Sequence, residues 1–260
     1  MRIHLFLTLV LFLMVDAARA QTQQPLRVLA SNGMQAVINE LRPRIEKELG
    51  RSLNIEFGTS VAIRQRIESG EAFDATVLTS EVVNALAKAG KIDAKSVTEL
   101  GRSGIGFGVK AGAPEPDVKT PEAVKKTLLN AKSLTWVSIG ASRATIDKMT
   151  DALGISSEVK AKTVLTQGLD ESLALITSGK NEMILTLTSE IMPAKGLKYV
   201  GPFPERFQNY VTFSAGVGPK ASVPAAAALF IKQLTVPQAA NAYRAKGMEM
   251  SNLKAVRPVK

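Results

Sequence analysis

Three times before Gly90, an apolar run of strand length gives way to a hydroxyl-bearing turn and then to a stretch of helical period. Leu26–Ala30 runs into Ser31-Asn32-Gly33 and a helix from about Met34 to Leu49, with Val37, Ile38, Leu41, Ile45 and Leu49 as its buried stripe. Leu53, Ile55 and Phe57 alternate with polar residues as a half-buried strand does. Gly58 and Thr59-Ser60 then precede Val61, Ile63 and Ile67 at helical spacing. Ala75–Leu78 leads through Thr79-Ser80 into Glu81–Ala89. Repetition of this unit predicts a parallel sheet with crossover helices. Parallel strands deliver their C-terminal ends to one edge, where open α/β sheets bind ligands, so the three turns should converge. A hydroxyl ahead of a helix caps it, as Ser60 would. The same position gathers unpaired N–H groups and the positive end of the helix dipole, which attract an anion.

The pattern then restarts. Gly104–Val109 reads as a strand, Ala111–Asp117 as a loop, and Thr120-Pro121 opens a helix to about Leu129. Leu134–Ile139 is a strand ending in Gly140-Ala141-Ser142-Arg143-Ala144, with a helix over Thr145–Leu153. Lys162–Leu165 is followed by Gln167-Gly168-Leu169-Asp170 and the helix Glu171–Ser178; Met183–Leu187 is followed by Thr188-Ser189. Ser142, Arg143, Ala144, Gly168, Leu169 and Thr188 are thus the second half's candidate ligand residues. They join Ser31, Asn32, Gly33, Thr59, Ser60, Arg64 and Thr79 from the first half.

Lys198–Val200 with Gly201-Pro202-Phe203-Pro204 reads as a linker, and Tyr210–Val217 as a strand. Pro224–Leu234 and Pro237–Lys246 are helices expected to return to the first sheet, with a frayed tail beyond Asn252. Pro43 removes a donor inside the first helix and should kink it. The expectation is α/β: two doubly wound α/β domains, residues 21–103 with 206–260 forming one and 104–205 the other. Two crossings, near Gly101–Gly106 and Gly201–Phe213, would make a two-segment hinge.

Residues 1–20 stand outside this pattern. Arg2, the apolar run Ile3–Val15 and the A-x-A site Ala18-Arg19-Ala20 read as a signal peptide cut after Ala20, which places the mature chain in the periplasm. There is no cysteine, and the single histidine, His4, lies in that leader. The mature chain would therefore lack Ser-His-Asp and Cys-His catalysis and any Cys- or His-ligated metal, and no cofactor or metal is expected. Without Arg2, Arg19 and Asp16, the 33 basic and 23 acidic residues become 31 and 22, a surplus of nine. The basic residues are scattered and the aromatics few, which argues against nucleic acid and suits capture of small anions.

The succession V-L-A-S-N-G, F-G-T-S-V-A-I-R-Q-R-I-E-S-G, F-D-A-T-V-L-T, G-P-F-P and P-Q-A-A-N-A-Y-R-A-K-G-M resembles molybdate-type periplasmic substrate-binding proteins of the type II periplasmic binding fold. The resemblance spans nearly all of Leu26–Met250. It implies a monomer whose two domains close on an anion for delivery to the membrane permease of an ABC importer. It also implies neutral donors at the site; hydrogen bonds to a charged group are worth roughly 1.5–3 kcal/mol each. Five or six would give micromolar affinity, about −8 kcal/mol, after the costs of closure and desolvation. Thr59 and Ser60 match the family's second-loop serines. Ser31-Asn32-Gly33 departs from the usual A-A-S, and Leu187 or Thr188 stands where a tyrosine is common.

Arg143 is a further departure, and in the cleft its guanidinium would favour a carboxylate. Arg64 lies one helical turn beyond Ser60. The chain therefore reads first as a binding protein for a molybdate- or tungstate-like oxyanion or a small carboxylate. The alternative is a periplasmic aconitate isomerase on the same fold, its base an acid, lysine, tyrosine or hydroxyl not identifiable from the sequence.

Overall fold

The computed structural model describes residues 24–251. The expected signal peptide, its cleavage site and the tail beyond Asn252 lie outside them.

The first three strand–turn–helix units form as the sequence pattern predicts. Strand β1 (Leu26–Ser31) runs directly into helix α1 (Asn32–Leu49), with Ser31 as N-cap accepting from the Gly33 amide at 3.4 Å. The helix starts two residues earlier than the apolar stripe suggests. It continues through Pro43 to a left-handed cap at Gly50. Strand β2 (Leu53–Gly58) leads to α2 (Ser60–Glu68), and β3 (Ala75–Thr79) to α3 (Ser80–Lys88). Thr59, rather than Ser60, caps α2, accepting from the Ala62 amide at 3.1 Å. Ser60 instead accepts from the Thr79 amide at 3.0 Å, and so ties the second turn to the third.

Strands β2, β1 and β3 pair in parallel, so their C-terminal ends share one edge. Among the described residues this sheet is completed antiparallel by β10 (Val211–Val217), β4 (Thr98–Ser103) and β11 (Met248–Met250), in the order β11-β4-β10-β3-β1-β2. Its two faces are covered separately: Val28, Ala30 and Val77 pack on one side, Leu29 and Leu78 on the other. Helix α1 packs on the first of these, and the late helices α9 (Pro224–Thr235) and α10 (Ala240–Ala245) join it there. Arg44 donates to the Gln233 carbonyl at 2.9 Å, and buried Tyr243 donates to the Leu234 carbonyl at 3.1 Å.

The second sheet has the order β7-β6-β8-β5-β9, from β5 (Ile105–Lys110), β6 (Leu134–Val137), β7 (Thr163–Thr166), β8 (Met183–Leu187) and β9 (Leu197–Pro202). Its helices are α4 (Pro121–Asn130), α5 (Arg143–Ala152), α6 (Ser156–Ala161), α7 (Leu169–Thr177) and the short α8 (Thr188–Ile191). Strands β6, β7 and β8 are mutually parallel through β6, whereas β5 runs antiparallel to β8 and β9. The segment expected to be a linker is a strand. β9 pairs with β5, and buried Phe203 packs its ring 4.7 Å from that of Phe107.

Among the described residues the chain passes between the sheets twice, at Gly104 and over 203–210. The passages lie side by side. The Gln208 side chain accepts from the Ile105 amide at 2.8 Å and donates to the Ile105 carbonyl at 2.9 Å.

Candidate functional site

The C-terminal ends of β1, β2 and β3 face those of β6 and β8 across the gap between the two lobes. Where they meet, Ser31, Asn32, Thr59 and Ser60 of the first lobe enclose an inner cavity with residues of the second lobe. Gly140 and Ala141 of the β6 turn, Leu169, Thr186 and Glu190 supply much of that second wall. The cavity is about 20 Å³, room for a single water and too small for a polyatomic anion with the lobes in this arrangement.

Two larger hollows adjoin it through different parts of its lining. One, sharing Ser60, Gly140 and Ala141 with it, is an outer cavity of about 560 Å³. Arg64, Thr79, Ala144, Thr145, Asn209 and Tyr210 contribute to its wall. The other, sharing Asn32, Leu169 and Glu190, is a polar groove of about 450 Å³. Gln35 and Asn39 of α1, Ser189 and Lys246 face this groove. A hollow of about 670 Å³ at the opposite ends of β5 and β8 contains none of the candidate residues.

The candidates thus divide. Ser31, Asn32, Thr59, Ser60 and Leu169 line the inner cavity; Arg64, Thr79 and Ala144 line the outer one. Gly33 is a close-approach residue, since a Cβ there would stand 2.5 Å from Phe213 Cζ and 2.8 Å from Leu187 Cδ1. Ser142 is buried at the start of α5, its carbonyl accepting from the amides of Thr145 and Ile146. Gly168 precedes α7 and accepts from the Thr166 hydroxyl at 3.1 Å. Thr188 is also buried, its amide donating to the Gly104 carbonyl at 2.9 Å, under Gly247 of the first lobe. Gly33, Ser142, Gly168 and Thr188 therefore border the three cleft hollows without lining them.

Arg143 does not line them either. Its Nε donates to Asp147 at 2.7 Å, one turn along the same helix, and its Nη1 to the Ser138 carbonyl at 3.5 Å. Arg64 pairs in the same way with Glu68 at 2.8 Å, but at the mouth of the outer cavity. Both partners there are solvated, so the guanidinium exchanges partners at little cost.

Of the lining residues that the sequence does not disclose, Thr186, Asn209 and Tyr210 among them, Glu190 is the one that carries a carboxylate into the inner cavity. It follows Thr188-Ser189 on α8, where an acidic residue in a first helical turn reads as an ordinary surface charge. Its side chain borders both the inner cavity and the polar groove and accepts a hydrogen bond from the buried Thr186 hydroxyl. Among the described residues no salt bridge reaches it. Although Glu190 keeps intermediate exposure, the surrounding protein removes enough of its hydration to push its carboxyl up to about 7. The Thr186 hydroxyl and the Leu187 amide offset only part of that rise. Nearby, the Ser189 hydroxyl is buried without a partner among the described residues, and Lys246 holds Glu40 at 3.0 Å.

The chain matches the family model described as bacterial extracellular solute-binding protein over residues 26–249. A protein named aconitate isomerase, from a Pseudomonas species, is 28% identical over 239 residues, covering 88% of this chain and 89% of that protein. Among solved structures, the periplasmic molybdate-binding protein of Azotobacter vinelandii superposes with a TM-score of 0.71 at 16% identity, covering 86% of this chain and 98% of that one. The agropinic acid complex of the binding protein AgtB from A. tumefaciens R10 gives 0.69 at 16% identity, covering 92% and 86%.

Proposed function

Because the chain belongs to the bacterial extracellular solute-binding protein family, we propose that it captures a small organic anion, a carboxylate, in the cleft between its lobes. The observation that carries this reading is the inner cavity, where helix-capping hydroxyls of one lobe meet the Gly140-Ala141 turn of the other. The first turns of α1 and α2 direct dipoles and free amides at the same point, which suits one carboxylate group. The outer cavity, with Arg64 at its wall, gives the rest of an elongated anion somewhere to go. A tetrahedral oxyanion would use the first compartment alone. The protein would act after export, as a monomer, handing its ligand to the permease of an ABC importer. Among the described residues no helix is long and apolar enough to cross a membrane.

A thermal-shift panel of molybdate, tungstate, sulfate, phosphate, citrate, cis-aconitate and trans-aconitate tests the reading. Citrate or an aconitate should raise the melting temperature by several degrees, as mass action requires of a ligand well above its Kd. Stabilisation by the tetrahedral anions alone would refute the carboxylate assignment.

A second reading is that the cleft also isomerises its ligand. It is favoured by Glu190, an acid on the inner cavity with no cationic partner among the described residues, and by the 28% identity to the aconitate isomerase. Interconversion of cis- and trans-aconitate, followed directly, tests it.

A further inference from the structure

The residues that enclose the inner cavity are hydroxyls, the Asn32 carboxamide, small turn residues and apolar side chains, with Glu190 as the one ionisable group among them. A carboxylate placed where an anion must bind repels it at short range, so its retention there demands an account in terms of protons. Three features bear on that account. Glu190 reaches the cavity from α8 with only the Thr186 hydroxyl as hydrogen-bond partner among the described side chains. It also borders the polar groove, which leads away from the cavity past Asn32, Gln35, Asn39 and Ser189. Ser189, which borders that groove, has a buried hydroxyl with no hydrogen-bond partner among the described residues. The other titratable groups facing the groove are Glu40, Asp170 and Lys246, and the ammonium of Lys246 is engaged with Glu40.

We propose that Glu190 is the acid–base residue of the cleft, taking a proton from a carbon next to a bound carboxylate's double bond and returning it to another carbon, with the groove as its route to solvent. The assignment rests on the isomerase reading above.

The substrate class is an unsaturated polycarboxylate with an acidic allylic C–H. The Glu190 carboxylate removes that proton, and the C–H electron pair becomes a new C=C bond. The old double-bond pair moves onto its far carbon and is shared with the flanking carboxylate. The Glu190 carboxyl then protonates that carbon. One C–H bond breaks and one forms, nothing is oxidised or reduced, and Glu190 ends as it began. The N-terminal turns of α1 and α2 face the charge that develops in between. Desolvation sets the carboxyl near neutrality, where a group can both accept and return a proton.

The test follows cis- and trans-aconitate by NMR in deuterium oxide with wild type, Glu190→Gln and Glu190→Asp. Wild type should interconvert the isomers and incorporate deuterium. Glu190→Gln should still be stabilised by trans-aconitate but lose about 10²-fold or more in turnover, the usual contribution of a general base. Glu190→Asp should keep part of the rate with a displaced pH profile, a readout independent of whether the glutamine variant folds. Turnover of Glu190→Gln within fivefold of wild type, or a pH profile unmoved in Glu190→Asp, overturns the assignment and leaves the isomerase reading standing. Wild type that binds trans-aconitate without turnover or exchange removes both.

Discussion

Gly247 offers a way to perturb the contact between the lobes without touching the ligand site. It sits just past α10 at φ 67°, and a Cβ there would stand 2.5 Å from Thr188 Cγ2 and 2.7 Å from Met192 Sδ, both on the other lobe. Gly154, past α5, has nearly the same φ of 66° with nothing within 4 Å of such a Cβ. Alanine at either position carries the cost of a left-handed backbone, roughly 1–2 kcal/mol. Only Gly247→Ala adds an overpacking cost, about 1–3 kcal/mol, and it falls on the closed arrangement alone because parting the lobes relieves it. Affinity for a ligand that requires closure should fall about 5- to 150-fold, since each 1.4 kcal/mol is tenfold. Gly154→Ala should lose stability but not affinity. Titration calorimetry with trans-aconitate and small-angle scattering of the ligand-free proteins read the two effects, with a larger radius of gyration expected for Gly247→Ala. If the two variants match in both measurements, the lobes do not close on each other through Thr188, and the reasoning is wrong.

Burial raises the Glu190 carboxyl from 4.5 to about 7, so the folded protein holds a proton that the unfolded chain has released. That stabilisation is complete below about pH 4.5 and is lost as pH rises through 7. It amounts to at most about 3 kcal/mol, less whatever solvent in the groove screens. Glu190→Gln should therefore gain on wild type in urea denaturation between pH 5 and 8.5, and parallel curves would contradict this. Asp74 behaves oppositely. Burial alone would raise its pKa, but the amides of Arg27, Ser222 and Val223 and the Ser222 hydroxyl hold it below the usual 3.8. Its contribution is present above that value and lost as pH falls through the lowered one. Asp74→Ala should cost about 3 kcal/mol by leaving those donors unpaired, lowering the melting temperature by about 6–12 °C. Phe203→Ala should cost about 3–5 kcal/mol by calorimetry, as expected of a core aromatic and not of a linker residue.

What was legible in the sequence follows from how local each cause is. The turns at Ser31 and Thr59 could be read because a capping hydroxyl answers donors two or three residues away. The Thr79 turn, whose hydroxyl makes no capping bond, shows only as the change from strand to helical period, and strand direction then fixes which turns meet. Which of two adjacent hydroxyls does the capping was not legible, because Ser60 is claimed by the Thr79 amide from another strand. Strand β9 was hidden because Gly201-Pro202-Phe203-Pro204 has loop composition, and only pairing with β5 makes an edge strand of it. β4, reading T-E-L-G-R-S, has little apolar pattern, and its partners β10 and β11 lie more than a hundred residues onward. Arg143 was readable in principle, since Asp147 at the i+4 position offers it a nearer partner than any ligand. Glu190 was not, because nothing in Thr188-Ser189-Glu190 says that two lobes close around it.

The paired crossing at Gln208 has a mechanical consequence. One side-chain amide imitates a peptide unit, latching both the donor and the acceptor of Ile105, so the two passages behave as a single ribbon instead of two independent tethers. A ribbon of that kind bends readily about one axis and resists shear and twist. Such a ribbon would confine the lobes to a single arc, one that brings Ser60 and Glu190 together at the inner cavity.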